Sequence, residues 1–223
     1  MLVLRGTTPE ALATFVVRQL STFFPDAQAT PVEAVMAHLG RALERTHLCF
    51  SGIARSKFRE GDSPMFNYQH PDHYAMFLYL LANTLSRAEP GSPLAFRLYY
   101  LNKVLHSLDA YPDIALPEVF QFMHPVGTIL GHARYGNYFC VYQGCSVGSD
   151  EDGAVPEFGD HVVLYAGASV IGNCRIGSNV VIGAKAQVLN CDVPDDRIVV
   201  QRREPLELHI NKRHVLARRF RQP

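Results

Sequence analysis

The 223-residue chain has no excess charge of either sign: 21 Lys and Arg balance 21 Asp and Glu. A balanced chain has no global field to draw it onto nucleic acid or an anionic membrane surface. Its ten histidines, counted neutral, make that balance sensitive to pH. Charged and polar residues break every apolar run, so no segment reaches the length of a membrane span. The opening Met1-Leu-Val-Leu-Arg5 is too short in its apolar part for a secretory signal. The five cysteines (Cys49, Cys140, Cys145, Cys174, Cys191) form no metal-spaced pair. They read as reduced thiols of a cytoplasmic protein. Phosphate-binding loops, dinucleotide fingerprints, nucleophile elbows and zinc ligand sets are also lacking.

What is present is a period of six. An aliphatic or aromatic residue returns at Ile129, Tyr135, Val141 and Val147, then at Phe158, Leu164, Val170, Ile176, Ile182 and Val188. Four residues after most of these anchors comes a second inward position, as at Ala133, Phe139, Cys145, Val162, Ala168, Cys174, Val180 and Ala186. Neither a helix (3.6) nor a two-sided strand (2) sustains such a period. It is the hexapeptide pattern of a parallel β-helix, in which each hexad forms one short face of a triangular coil. Three hexads close a coil, so the ten hexads predict about three turns.

The N-terminal half reads as helices. Thr8-Pro9-Glu10 places a cap, a first-turn proline and an early acid before Ala11 to Phe24. Thr30-Pro31-Val32-Glu33 repeats the device ahead of a helix to about His47. Ser51 to Asn67 is polar and irregular, with a turn at Gly61-Asp62-Ser63-Pro64. His70 to Ala88 is apolar over one broad face, and Pro93 opens a further helix that Tyr111-Pro112 stops. The fold expected is α+β: an α-helical domain over 1–111, a left-handed parallel β-helix over 112–200, and a basic tail over 201–223. That tail carries Arg202, Arg203, Lys212, Arg213, Arg218, Arg219 and Arg221.

One interruption breaks the period. Val147 to Phe158 spans eleven residues, so a polar, acidic loop is extruded within Ser149 to Glu157. Insertions in solenoids emerge from one face and often flank a binding site.

Histidine is the side chain left to carry chemistry. His38, His47 and His106 sit on helices as structural or surface residues, and His70-x-x-His73 is a weak pair at a helix start. His132 and His161 take outward hexad positions. His124 stands just before the first clear coil, in Met123-His124-Pro-Val-Gly-Thr-Ile-Leu-Gly131. An imidazole suits proton abstraction near neutral pH.

From Asp109 to about Val200 the chain resembles the serine acetyltransferase group of hexapeptide-repeat acyltransferases. His124-Pro-Val-Gly-Thr-Ile-Leu-Gly131 is similar to that family's catalytic H-x-x-G-x-x-x-G. Val141-Tyr-Gln-Gly-Cys-Ser-Val-Gly148 and Tyr165-Ala-Gly-Ala-Ser-Val-Ile-Gly-Asn173 are similar to its later coils. The resemblance implies an acetyl-CoA-dependent transfer to a small hydroxyl acceptor, L-serine or a related hydroxy amino acid, with no metal. His124 would be the general base and Asp109, fifteen residues upstream, its carboxylate partner. Asp72 and Gln143 would bind the acceptor. Gly148, Ala166, Gly167 and Lys185 would contact CoA along the coils between subunits of a homotrimer or a dimer of trimers. Two departures stand out. Met123 occupies the place of an Asp that precedes the family's histidine, and Ala154-Val155-Pro156 replaces the Arg-His before proline that helps hold the serine carboxylate.

Other readings compete on the same residues. The acceptor could be a sugar hydroxyl or amine of surface-polysaccharide synthesis, or the coils could be a non-catalytic trimeric scaffold. A zinc hydratase would need His124, His132 and His161 to converge on one metal.

Overall fold

A computed structural model describes residues 1–26, 30–201, 207–212 and 214–216. Its helices are α1 (Pro9–Phe23), α2 (Val32–Ser51), α3 (Pro71–Ala88) and α4 (Pro93–His106). α1 starts as the sequence implies: the Thr8 side chain accepts the Ala11 N–H at 3.2 Å, with Pro9 in the first turn. The cap of α2 is Pro31 rather than Thr30, without a side-chain hydrogen bond. That helix continues past His47 to Ser51 because Cys49 and Phe50, both fully buried, extend its apolar face. α3 is the central helix, buried at every residue from Asp72 to Leu85. α4 stops at His106, short of Tyr111, where Ser107 turns left-handed (φ +53°) and its N–H closes onto the Lys103 carbonyl.

The segment from Ser51 to Asn67 is more ordered than its composition suggests. A 3₁₀ turn (Ser56–Phe58) leads into β2 (Arg59–Glu60) and β3 (Ser63–Asn67), and β1 (Val3–Arg5) pairs parallel with β3. Strands this short show no alternation long enough to read.

The remaining strands form a parallel solenoid. One face stacks β4 (Asp109–Ala110), β6 (Ile129–Leu130), β8 (Ser146–Gly148), β11 (Ser169–Ile171) and β14 (Gln187–Leu189). The second stacks β5 (Phe120–Met123), β7 (Phe139–Tyr142), β10 (Val163–Leu164), β13 (Val181–Ile182) and β15 (Arg197–Val200). The third holds β9 (Glu157–Phe158) and β12 (Arg175–Ile176), extended by bridges Arg134–Glu157 and Ile176–Val193. This makes about five coils instead of three. The first and last coils pair in register but lack hexads, so the period alone does not reveal them. The first solenoid strand already includes Asp109 and Ala110, upstream of residue 111.

Hexad anchors stack into columns inside the coils. Val147, Val170 and Val188 are in register, as are Val141 and Leu164 with Ile182 and Val199. All seven are buried to 1% exposure or less. Each contributes about 1.5–3 kcal/mol of hydrophobic burial. The phase fails at its first anchor: Leu130 is the inward residue (2% exposed), and Ile129 faces out (49%). A one-residue shift inverts the faces of a strand. Neighbouring coils approach so closely that a Cβ on Gly131 would lie 2.7 Å from the Val147 carbonyl oxygen.

At the C-terminal end β16 (Glu207–Ile210) pairs antiparallel with β15. The Asn211 side-chain amide donates to the Asn179 carbonyl at 2.9 Å. Of the basic tail, Lys212 is exposed; Arg202, Arg203, Arg213, Arg218, Arg219 and Arg221 lie outside the described residues. Among the described residues no helix is long and apolar enough to cross a membrane.

Candidate active site

His124 follows β5 directly, at the junction of solenoid and helical domain. Its backbone is left-handed (φ +50°) and its side chain is 69% exposed. Most other left-handed residues of the solenoid stack at corners, as Tyr138, His161, Asn179 and Asp196 do, or Gly127, Gly144, Gly167 and Lys185. His124 belongs to neither stack. A strained non-glycine backbone of this kind persists only where its surroundings hold it.

What holds it is Asp72. The Asp72 carboxylate, 3% exposed at the start of α3, accepts the His124 backbone N–H through Oδ1 at 3.1 Å. The same oxygen lies 3.8 Å from His124 Nδ1, an ion-pair rather than a hydrogen-bond distance. Oδ2 accepts from Lys57 Nζ at 2.7 Å. A carboxylate is favoured in the first turn of a helix by the unpaired N–H groups there, and the Lys57 ammonium offsets much of the cost of burying it. The geometry orders a chain from Lys57 through Asp72 to His124, with Nε2 on the ring edge away from the carboxylate.

Asp109, expected behind His124, is engaged elsewhere. Its Oδ1 accepts from the Tyr99 hydroxyl at 2.7 Å and its Oδ2 from Lys103 Nζ at 2.6 Å. Partial burial raises its pKa, but the Lys103 and Tyr99 hydrogen bonds outweigh this and hold the carboxyl below its ordinary value. No hydrogen bond or ion pair joins it to His124. The fifteen-residue spacing places Asp109 on β4 beside α4, and α4 supplies both of its partners. Asp72, expected to bind the acceptor, stands beside His124. Lys57 was missed because it lies in the irregular segment before α3, where sequence spacing carries no information about what it meets.

Other histidines surround the pair. His73 Nδ1 accepts the Asn67 N–H at 3.2 Å, and its ring stacks on His70 at 4.3 Å. Burial, with His70 and Lys57 adding, pushes the His73 pKa down to about 3. Burial lowers His106 to about 4 and also lowers His70, where Lys57 adds to the effect. All three are neutral neighbours near neutral pH.

The residues expected along CoA form a ladder on the corner after His124. Gly144 N–H donates to the Val126 carbonyl, Gly167 N–H to the Gln143 carbonyl and Lys185 N–H to the Ala166 carbonyl, each at 2.9–3.0 Å. Gln143, Ala166, Gly167 and Lys185 therefore climb one edge on successive coils, each step about 4.8 Å. Gly148 is not on this edge; it ends β8 at the following corner, beside Gly172 and the extruded loop. That loop folds around Asp150, whose Oδ1 accepts from Asp152 and Ala154 N–H groups.

His161 stands on a different corner from His124, stacked on Tyr138 at 4.9 Å. Among the described residues no three His, Cys, Asp or Glu come together as a metal-ligand group. A cavity of about 540 Å³ lies on the helical domain between α2, α3 and residues 116–118, and His124 does not line it.

Residues 156–190 match the family model described as bacterial transferase hexapeptide (six repeats). A serine acetyltransferase of Synechococcus elongatus is 36% identical over 107 residues, 46% of this chain and 43% of that protein. Another, of Staphylococcus xylosus, is 30% identical over 131 residues, 57% of this chain and 60% of its own length. The chain thus spans about half the length of the curated relatives it matches. The solved serine acetyltransferase of Vibrio cholerae superposes with a TM-score of 0.69 at 20% identity, over 92% of this chain and 82% of that one. The Neisseria gonorrhoeae serine acetyltransferase in complex with serine gives 0.66 at 24%, over 91% and 85%. Four helices ahead of a solenoid of about five coils are thus the fold of solved serine acetyltransferases, and residues 156–190 carry the hexapeptide repeat of bacterial transferases.

Proposed function

We propose that this protein is an acetyl-CoA-dependent O-acetyltransferase acting on a small hydroxyl acceptor, L-serine or a related hydroxy amino acid, in the cytoplasm. The observation that carries this reading is the carboxylate-backed His124 at the foot of the Gln143–Ala166–Lys185 edge. Similarity to proteins described as serine acetyltransferases supports the same class.

The mechanism follows from the site. A neutral hydroxyl is a poor nucleophile, and a positioned base contributes roughly 10²–10⁴-fold. Asp72, facing Nδ1, favours the tautomer whose Nε2 is free to take the acceptor's proton. The hydroxyl oxygen attacks the thioester carbonyl while both substrates are bound. Backbone N–H groups stabilise the oxyanion as charge develops. Collapse expels the CoA thiolate, which recovers the proton from His124. Small residues on the coil edge leave room for the pantetheine arm, and exposed Lys185 supplies a cation for a phosphate. His124 is largely exposed in a single chain, so the site is completed by the neighbouring subunit of a trimer, left-handed in its coils as the family resemblance implies.

The direct test is thiol release from acetyl-CoA by purified protein against L-serine, homoserine and nucleotide sugars. Release dependent on a hydroxy amino acid supports the reading. Release only with sugars reassigns the acceptor, and no release with any acceptor together with no acetyl-CoA binding removes it.

A further inference from the structure

The 3₁₀ turn that supplies Lys57 also supplies Arg55. Phe58 pins this turn: it is fully buried, edge-on to Phe50 at 4.8 Å and packed against His73 at 4.2 Å. Arg55, the N-cap of the turn, is half-buried, and its Nη2 lies 3.4 Å from the Tyr142 hydroxyl. Tyr142 is the in-register neighbour of Met123, the residue before His124. Two cations on one fixed turn thus reach groups next to the histidine, Lys57 through Asp72 and Arg55 through Tyr142. Lys57 is neutralised by Asp72, whereas Arg55 meets a neutral phenol and has no carboxylate partner among the described residues.

Of these two cations, Arg55 keeps the unmatched charge. Asp72 is buried and its charge is matched by the Lys57 ammonium, so it offers a substrate ammonium no net charge. Asp109 is taken by Tyr99 and Lys103, and Met123, Ala154 and Val155 bring no acid. The histidines at 70, 73 and 106 are neutral. A guanidinium is the donor best matched to a planar carboxylate.

We propose that Arg55 binds the carboxylate of the acceptor, and that the site selects short hydroxy acids by that carboxylate with no requirement for an ammonium group. This rests on the acetyltransferase reading and names its acceptor class. Three molecules of one size separate the contributions: L-serine, 3-hydroxypropionate, which lacks the amine, and ethanolamine, which lacks the carboxylate.

The experiment measures acetyl-CoA thiol release with each acceptor, and calorimetric binding of 3-hydroxypropionate, for the full chain and for Arg55→Gln and Arg55→Lys. Expected is turnover of 3-hydroxypropionate at least equal to that of L-serine, and none with ethanolamine. Arg55→Gln should raise the acceptor KM and weaken 3-hydroxypropionate binding by about 10- to 100-fold, as for a lost charged hydrogen bond. The KM for acetyl-CoA should not move, and Arg55→Lys should recover part of the loss. Turnover of ethanolamine, an absolute need for the amine, or an unchanged acceptor KM in Arg55→Gln overturns the proposal while leaving the transferase reading intact. Arg55-dependent binding of 3-hydroxypropionate without any thiol release sustains the anchor and overturns the transferase reading instead.

Discussion

Asp72 Oδ1 both accepts the backbone N–H of His124 and faces its Nδ1, at 3.1 and 3.8 Å. One carboxylate oxygen from the helical domain thus fixes the backbone of the first-coil histidine and biases the tautomer of its ring. The two domains are coupled at the residue on which the proposed chemistry depends.

His124→Ala removes the proposed base. Turnover should fall by about 10²–10⁴-fold while acetyl-CoA binding and the unfolding midpoint stay within error of the parent. Steady-state kinetics alongside calorimetry reads both; near-normal turnover takes His124 out of the mechanism.

Asp72→Asn and Asp109→Asn separate the two carboxylates. Asn at 72 keeps an oxygen near the His124 N–H but loses the charge facing Nδ1, so kcat should drop by at least about tenfold and its pH dependence should shift. Asn at 109 breaks the ion pair with partly exposed Lys103 and should cost at most about 1 kcal/mol of stability with an unshifted pH–rate profile. The reverse ranking would return Asp109 to the role that its spacing from His124 suggested.

Stability should depend on pH through buried histidines. His73 and His106 titrate far below the ordinary imidazole range in the folded state, at about 3 and about 4, chiefly through burial. Below about pH 6.5 the unfolded chain binds protons that the folded chain refuses, so their contribution is complete above that pH and is lost on acidification. Each histidine adds a slope of about 1.4 kcal/mol per pH unit. Denaturant midpoints between pH 6.5 and 5 should show this fall, and His73→Phe should make it shallower by one histidine's share.

Gly131→Ala places a methyl 2.7 Å from the Val147 carbonyl oxygen of the next coil. Two backbones must separate to admit it, so the variant should lose about 1–3 kcal/mol. An unchanged urea midpoint would mean that the coils are more loosely stacked than the registers indicate.

Thiol reactivity should be confined to one cysteine. Cys49, Cys140, Cys145 and Cys174 are buried and Cys191 is exposed, and burial pushes the Cys49 thiol up to about 12. A chromogenic disulfide reagent should titrate one thiol in the native protein and five after denaturation, and Cys191→Ser should abolish the native signal.

By itself the sequence determined the solenoid, because a six-residue period repeats through local register and needs no distant partner to be recognised. Val141 to Val188 take the inward positions that the period assigns, and the Thr8 cap with Pro9, and Pro93, mark helix starts. The proposed base, His124, is singled out for a similar reason, within a contiguous motif. Tertiary structure decided what stands around it. The first and last coils pair without hexads, so the count rose from three to about five, and Ile129 turned outward while Leu130 turned in. Asp72 reaches His124 across 52 residues, and Lys57 reaches Asp72 and Arg55 reaches Tyr142 from a turn set by the burial of Phe58. Such partnerships arise from packing a helical domain against the first coils. Spacing along the chain cannot encode them, which is why Asp109, correctly spaced, pairs with Lys103 and Tyr99 while the more distant Asp72 stands beside the histidine.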